Sequence, residues 1–345
     1  MLHKLKKTVI ALLCFAVLFF GSIGIGCHFV SVPPLVATSA SVLAPQGIEG
    51  YARPEESTYL TYPEWHIVYS SAEYARFLKD NRPSRFPYIA SIGQFWSSYC
   101  TVYNLTNRQY GFNMGNHFML WVIGTSFSVE NIIKSAYEHT VGALAEYSAS
   151  YEKTAEDGFA YEANARYVAF INDYPWYEFS FVHELRGLWG GVPWYGPHMA
   201  RKWERRSALT AEWSIKAAYG AFIKLGTRAI YVPAPTDIYA RVMDGVSTRV
   251  VLLPRYRLFT ETALRMAREG AQFADIAGNG QIFVTTIVPR GWYHDISGVT
   301  ELFSMDILTA PESKRAGMEI AVPELSRVLS ALQASGAVIE HVYDY

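Results

Sequence analysis

Hydrophobic and aromatic residues recur every three or four positions through most of the stretch from residue 59 to residue 240, which is the spacing of one face of an α-helix. The clearest series are Ile89, Ile92, Trp96, Tyr99 and Tyr103, then Leu120, Ile123 and Phe127, then Ile215, Ala218, Phe222 and Leu225. Thr61 precedes Glu64 by three positions and Ser70 precedes Glu73 by three, as in the capping box of a helix start. The pattern predicts a helical, aromatic-rich domain over 59–240.

The remainder of the chain alternates short β-type runs with helical ones. The predicted order is a strand at 248–253, a helix at 258–269, a hairpin of 273–276 and 281–288 around Gly278-Asn279-Gly280, strands at 301–309 and 318–322, a helix to 333 and a strand at 338–343. This order resembles a ferredoxin-like α/β sandwich over 246–345. The expected fold class is therefore α plus α+β, and the resemblance implies no activity.

An apolar run without charge extends from Val9 to Gly26, after Lys4, Lys6 and Lys7. Its length approaches the roughly 20 residues that cross a bilayer core. We expect residues 1–30 to be a transmembrane anchor that contacts lipid through residues 9–30. Residues 31–58 have the composition of a linker. A cleaved signal peptide and a lipid on Cys27 are the alternatives.

The lysines before the apolar run predict the orientation of the chain, because positive residues stay in the cytoplasm. The bulk of the protein is then expected outside the cytoplasm, facing the periplasm if the source is bacterial. A second span at 112–133 is the competing topology, although its apolar core from Phe118 to Val129 is short. Glu130, Lys134 and Glu138 continue this segment as a charge ladder expected to face solvent or a partner.

Composition narrows the classes of function. The net charge of −1 gives no overall electrostatic attraction for nucleic acid. Charged residues form 18% of the chain and aromatic residues 15%, which suits a large core, an aromatic groove or a membrane interface. Of three cysteines, Cys14 and Cys27 lie in the expected anchor, so Cys100 is predicted to be alone and no disulfide is expected within the domain.

The densest basic cluster after the anchor is Arg201, Lys202, Arg205 and Arg206. Arg201 and Arg205 share one helical face, and the other two share its neighbour. Such a patch can bind a phosphate or a carboxylate, so an anionic lipid or an acidic partner protein is the expected contact. The plainer interpretation of these four residues is a solvent-exposed helix face, with Glu204 or Glu212 nearby as an ionic partner.

Histidines and one glutamate supply the remaining candidates for acid–base or metal chemistry: His66, His117, His183, Glu184 and His198. His183-Glu184 lacks the second histidine that a zinc protease helix needs, because Gly187 occupies that position. Nucleotide-binding, dinucleotide-binding and common hydrolase motifs are also missing from the sequence. No metal and no cofactor are therefore predicted, and burial in an aromatic core is the plainer interpretation of each histidine.

Together these patterns favour a membrane-anchored, non-enzymatic binding or assembly protein. The alternative from a different class is a membrane-associated enzyme that acts on a hydrophobic or lipid-like substrate, with the histidines and Glu184 as its acid–base or metal groups. A third hypothesis is a sensor whose C-terminal domain binds a small ligand. Distances among the five candidate residues distinguish the enzyme from the others.

Overall fold

The computed structural model describes residues 21, 23, 26–35, 48–230, 236–244 and 247–345. Its α-helices are α1 Ser57–Leu60, α2 Tyr62–Asp80, α3 Tyr88–Tyr110, α4 Met114–Tyr137, α5 Ala143–Ser148, α6 Ala155–Ile171, α7 Phe181–Gly191, α8 Met199–Ile230, α9 Arg257–Arg268 and α10 Leu325–Ala334. Its strands are β1 Asp237–Asp244, β2 Ser247–Pro254, β3 Gln272–Ile276, β4 Gln281–Pro289, β5 Val299–Asp306, β6 Ser313–Ala321 and β7 Val338–Tyr343.

The prediction of a mainly helical region followed by an α+β region is confirmed. Thr61 precedes α2, as the capping motif predicts, although its side chain makes no capping hydrogen bond. The second predicted capping motif, Ser70 with Glu73, does not start a helix. Ser70 lies inside α2, and its hydroxyl is hydrogen-bonded to that of Ser91 in α3. A π-helical turn at Glu138–Gly142 joins α4 to α5.

Most of the expected anchor lies outside the described residues, including everything before residue 21. Among the residues that the structure does describe, no helix is both long enough and apolar enough to span a bilayer. The expected linker is packed near its end: Tyr51 donates a 2.6 Å hydrogen bond to Asp275, and Thr58 donates one to the carbonyl of Tyr343.

The strands form two antiparallel sheets, which we call sheet A (order β2-β1-β3) and sheet B (order β5-β6-β4-β7). The ferredoxin-like arrangement is not confirmed, because the strands are divided between these sheets. The predicted hairpin is wrong for the same reason: β3 and β4 are consecutive but lie in different sheets, and the turn at Gly278 leads from one to the other. Sequence patterns also missed β1, which includes residues assigned to the helical domain.

The two sheets have the same strand connectivity, which the sequence pattern did not predict. In sheet A, β2 and β3 flank β1 and are connected through α9; in sheet B, β6 and β7 flank β4 and are connected through α10. Strand β5 is the addition at the edge of sheet B. Residues of both sheets, α9 and α10 form one apolar core.

The helical region is joined to sheet B through α1 and α2. Tyr59 and Tyr62 pack against Phe283 and Tyr343 in a second core. Arg315 of β6 lies 1% exposed at the same interface, bonded to Glu340 and, at 3.2 Å, to Glu73 of α2. This buried ion pair and the surrounding rings hold the helices against the sheet.

Candidate functional site

The basic cluster that sequence patterns place on a surface is buried. Arg201, Lys202, Arg205 and Arg206 begin α8, and each is at most 5% exposed. The prediction that they meet an external anion or solvent is therefore wrong about their exposure. Their side chains turn inward because carboxylates from the π-helical turn, α5 and α6 surround this end of the helix.

Each of the four cations has internal partners. Arg201 bonds to Asp157 at 2.5 Å and to Glu204 at 2.7 Å, and Arg205 bonds to Glu138 at 2.8 Å. Burial alone would lower the pKa of Arg205, but the carboxylates of Glu138 and Glu204 outweigh burial and raise it. The guanidinium therefore stays charged inside the protein.

A single carboxylate serves the other two cations. Glu156 is fully buried and accepts hydrogen bonds from Lys202 at 2.9 Å and from Arg206 at 2.7 Å. Arg206 also donates to the backbone carbonyls of Leu188 and Val192. Glu156 thus links α6 to α8, and Arg206 links α8 to the end of α7.

Further along α8, two lysines and two glutamates form a second ion group, which we call the quartet. Lys134 lies 2.9 Å from Glu130 and 2.7 Å from Glu212, and Lys216 lies 2.9 Å and 3.0 Å from the same two carboxylates. Burial would raise the pKa of Glu130, but both lysines outweigh it and lower that pKa to about 2. The quartet is charged at neutral pH, with a net charge of zero.

The quartet corrects the expectation that Glu130, Lys134 and Glu138 face solvent or a partner protein. Lys134 and Glu138 point toward α8, and Glu130 shares its carboxylate with Lys216 of that helix. The intrahelical pair of Glu212 and Lys216 is ordinary i,i+4 support, but the cross-helix contacts could not be seen in the sequence.

A polar cavity lies beside the quartet, between α2, α3, α4, α6 and α8. It has about 70 Å³ of enclosed space, and about 510 Å³ when the open space at its mouth is included. Its lining combines three members of the quartet with hydroxyl and amide groups: Glu130, Lys134, Lys216, Tyr74, Asn131 and Asn164.

The outer side of α4 has the opposite character. None of its exposed residues is charged over the 23 positions from Met114 to Ala136, about 35 Å of helix. The large exposed side chains on it are Met114, Phe118, Met119, Val122, Val129, Ile132 and Ile133. The helix is amphipathic with its polar side toward the interior.

The outer side of α8 continues this surface. Its exposed residues with described side chains are also uncharged, and the large ones are Met199, Trp203, Ile215, Tyr219, Phe222 and Leu225. The helices run antiparallel, since Glu130 pairs with Lys216 and Glu138 pairs with Arg205. At about 100° per residue, the mean direction of the large exposed side chains on each helix lies more than about 110° from the mean direction of the paired positions, and both turn to the same side. We call this combined surface the uncharged face.

The N-terminal segment is attached beside α4 by a disulfide between Cys27 and Cys100 of α3. The prediction of a solitary Cys100 is therefore wrong, and the bonded sulfur of Cys27 is not free for a lipid. Asn104 adds hydrogen bonds of 2.7 Å to the carbonyls of Cys27 and Val30. Ile23 packs in the same cluster against rings that include Trp121 of α4.

Two of the candidate histidines are buried in aromatic surroundings. His66 is buried on α2 near the ring of Phe95, and neither ring nitrogen has a hydrogen-bond partner among the described residues. Burial lowers its pKa to about 3, so it is neutral at physiological pH. His117 stacks on Phe112 with ring centres 4.5 Å apart, and burial lowers its pKa as well. Both fit the plainer interpretation of a core histidine.

The other candidates have separate partners. His183 is exposed on α7, whereas Glu184 is bonded to Arg166, and His198 lies 3.0 Å from Glu152. Within the described part of the chain, no three histidine, cysteine, aspartate or glutamate side chains are grouped as metal ligands would be. The five residues do not assemble into one site.

Comparison of the chain with protein-family models, with curated proteins and with solved structures gave no match.

Proposed function

We propose that the protein is a membrane-anchored, non-enzymatic binding or assembly protein whose helical region rests on the bilayer through the uncharged face. The observation behind this proposal is the reversed polarity of α4 and α8. Their charged side chains pair with one another, and the residues most exposed on their outer sides are uncharged, with the partly exposed Glu130 at the edge. Large contiguous apolar surfaces mark sites that contact proteins or membranes. Lipid hydrocarbon fits the uncharged face because it needs no hydrogen-bond or ionic partner on either helix.

Aromatic residues at the start of α8 support the same placement. Trp189, Trp194 and Trp203 pack together, with ring centres about 6 Å apart, and all three are well exposed. Tryptophan and tyrosine concentrate where hydrocarbon meets head groups. This aromatic corner would lie at that depth when the uncharged face contacts lipid.

The N-terminal attachment supports the anchor and its orientation. The apolar run from Val9 to Gly26 ends at Cys27, so the disulfide to Cys100 would bring the anchor out of the bilayer next to α4. Persistent disulfides belong mainly to oxidising compartments, which favours a position for the bulk of the chain outside the cytoplasm.

The full chain in nanodiscs that contain brominated lipid would test the proposal, because bromine quenches tryptophan fluorescence only at close range. We expect Trp203→Phe to reduce the quenched share of the emission. Trp292→Phe is the matched control in the β4–β5 connection; it removes emission that the lipid does not quench, so the quenched share should rise slightly. The reverse result would mean that the C-terminal region, and not the uncharged face, contacts lipid.

The enzyme alternative depended on convergence of His66, His117, His183, Glu184 and His198. Their separate surroundings remove that support, so we do not propose it.

A further inference from the structure

We propose that the cavity beside the quartet binds the head group of a zwitterionic phospholipid with a primary amine, as in phosphatidylethanolamine. This inference rests on the proposed function, since the lipid must reach the cavity from the bilayer. The structural basis is a charged cavity, one of whose lining residues, Glu130, is partly exposed next to apolar residues of the uncharged face.

We place the entry of the ligand at Glu130. This residue lines the cavity, yet its side chain is 38% exposed. Val129 and Ile133, its neighbours on α4, belong to the uncharged face. A lipid whose head group enters at Glu130 can therefore keep its acyl chains against apolar side chains of the same helix.

The charges of the lining match a head group with one anion and one cation. Two ammonium groups, from Lys134 and Lys216, and one carboxylate, from Glu130, line the cavity, with Glu212 behind them. An ammonium group has three donors, and each lysine has two carboxylate partners, which leaves a donor on each for a phosphate oxygen. The amine of the ligand would donate to Glu130.

The same charges predict weaker binding of other phospholipids. A phosphatidylglycerol head group would place its charge near Lys134 but brings no cation for Glu130, and its net charge is unbalanced against a neutral quartet. A choline group has no N–H to donate to a carboxylate. We therefore expect binding in the order phosphatidylethanolamine, phosphatidylcholine, phosphatidylglycerol.

Size agrees with a head group and excludes a much larger ligand. The enclosed space of about 70 Å³ holds several water-sized groups and is far too small for a whole phospholipid. A phosphoethanolamine group is of comparable size.

Native mass spectrometry of the delipidated full chain, with each of the three phospholipids added in turn, would test the proposal. We expect phosphatidylethanolamine to bind at least about tenfold more tightly than phosphatidylcholine, as for a hydrogen bond to a charged group. Glu130→Gln should abolish this preference and favour phosphatidylglycerol, because it leaves the quartet with a net positive charge. Glu162→Gln, an exposed change of the same kind on α6, should keep the wild-type order.

A second variant, which leaves the quartet intact, tests the proposal without the risk that loss of an ion pair unfolds the protein. Asn164 lines the cavity and donates only locally, to the carbonyl of Ala160. Asn164→Leu should weaken binding of phosphatidylethanolamine while the thermal unfolding midpoint stays near that of wild type. Equal affinity for all three lipids, or an unchanged order in Glu130→Gln, would overturn the head-group proposal. Failure of the quenching experiment on Trp203 would instead overturn the membrane contact itself.

Discussion

The buried carboxylate of Glu156 allows a quantitative test of the charged interior. Glu156→Gln keeps the shape of the side chain but removes the charge that Lys202 and Arg206 share. Both cations are then left in a buried position with a neutral amide. Removing one partner of a buried ion pair typically costs about 3–5 kcal/mol, a large part of the roughly 5–15 kcal/mol that stabilises a domain. Arg206 keeps two backbone acceptors, so we expect the lower end of that range.

Urea unfolding of the full chain in detergent, followed by tryptophan fluorescence, would measure the loss, because urea does not screen charges. Glu162→Gln is the control: it lies on the same helix with its side chain 66% exposed, and should cost less than about 1 kcal/mol. Adding Lys202→Met to Glu156→Gln should recover part of the loss, since one unpaired cation is removed. A Glu156→Gln variant as stable as Glu162→Gln would refute the internal pairing.

Three further outcomes are expected. Cys100→Ser opens a loop of sequence separation 73 and should lower the free energy of unfolding by about 4 kcal/mol, measured by urea unfolding against oxidised wild type. The pKa of about 3 for His66 lies below its unfolded value of about 6.5, so stability falls as the pH drops from about 6.5 to 3. His66→Leu should show a smaller fall in calorimetry at pH 7 and pH 4. A methyl group at Gly124 would overlap a buried ring at 2.1 Å, so Gly124→Ala should cost about 1–3 kcal/mol, whereas Gly158→Ala, in open space, should cost nothing. Equal melting temperatures for the two alanine variants would contradict the close packing of α3 and α4.

Local patterns predicted the elements well. Series such as Leu120 and Phe127 repeat with helical spacing, and their helix is present. The order of strands and helices after residue 246 was also predicted, because strand runs and helix caps are short-range signals. Pairing among those strands was not, since sheet membership depends on contacts between distant residues.

The charged interior escaped prediction for a related reason. The partners of Lys202, Arg205 and Arg206 lie 46, 67 and 50 residues away. A basic cluster on a helix looks the same in sequence whether it faces water or buried carboxylates. The disulfide was missed because Cys27 was assigned to the membrane anchor. A cysteine inside a bilayer would not be expected to bond to Cys100, which lies 73 residues further along the chain.

The division of charge between helices has a consequence for how the chain is made. The buried carboxylates Glu138, Glu156 and Asp157 come before residue 199, and the cations that pair with them come after it. A growing chain that ends before α8 therefore holds a group of like charges which repel one another in any compact arrangement. Pairing of these carboxylates has to wait until α8 has emerged, so this helix determines when the uncharged face can be assembled.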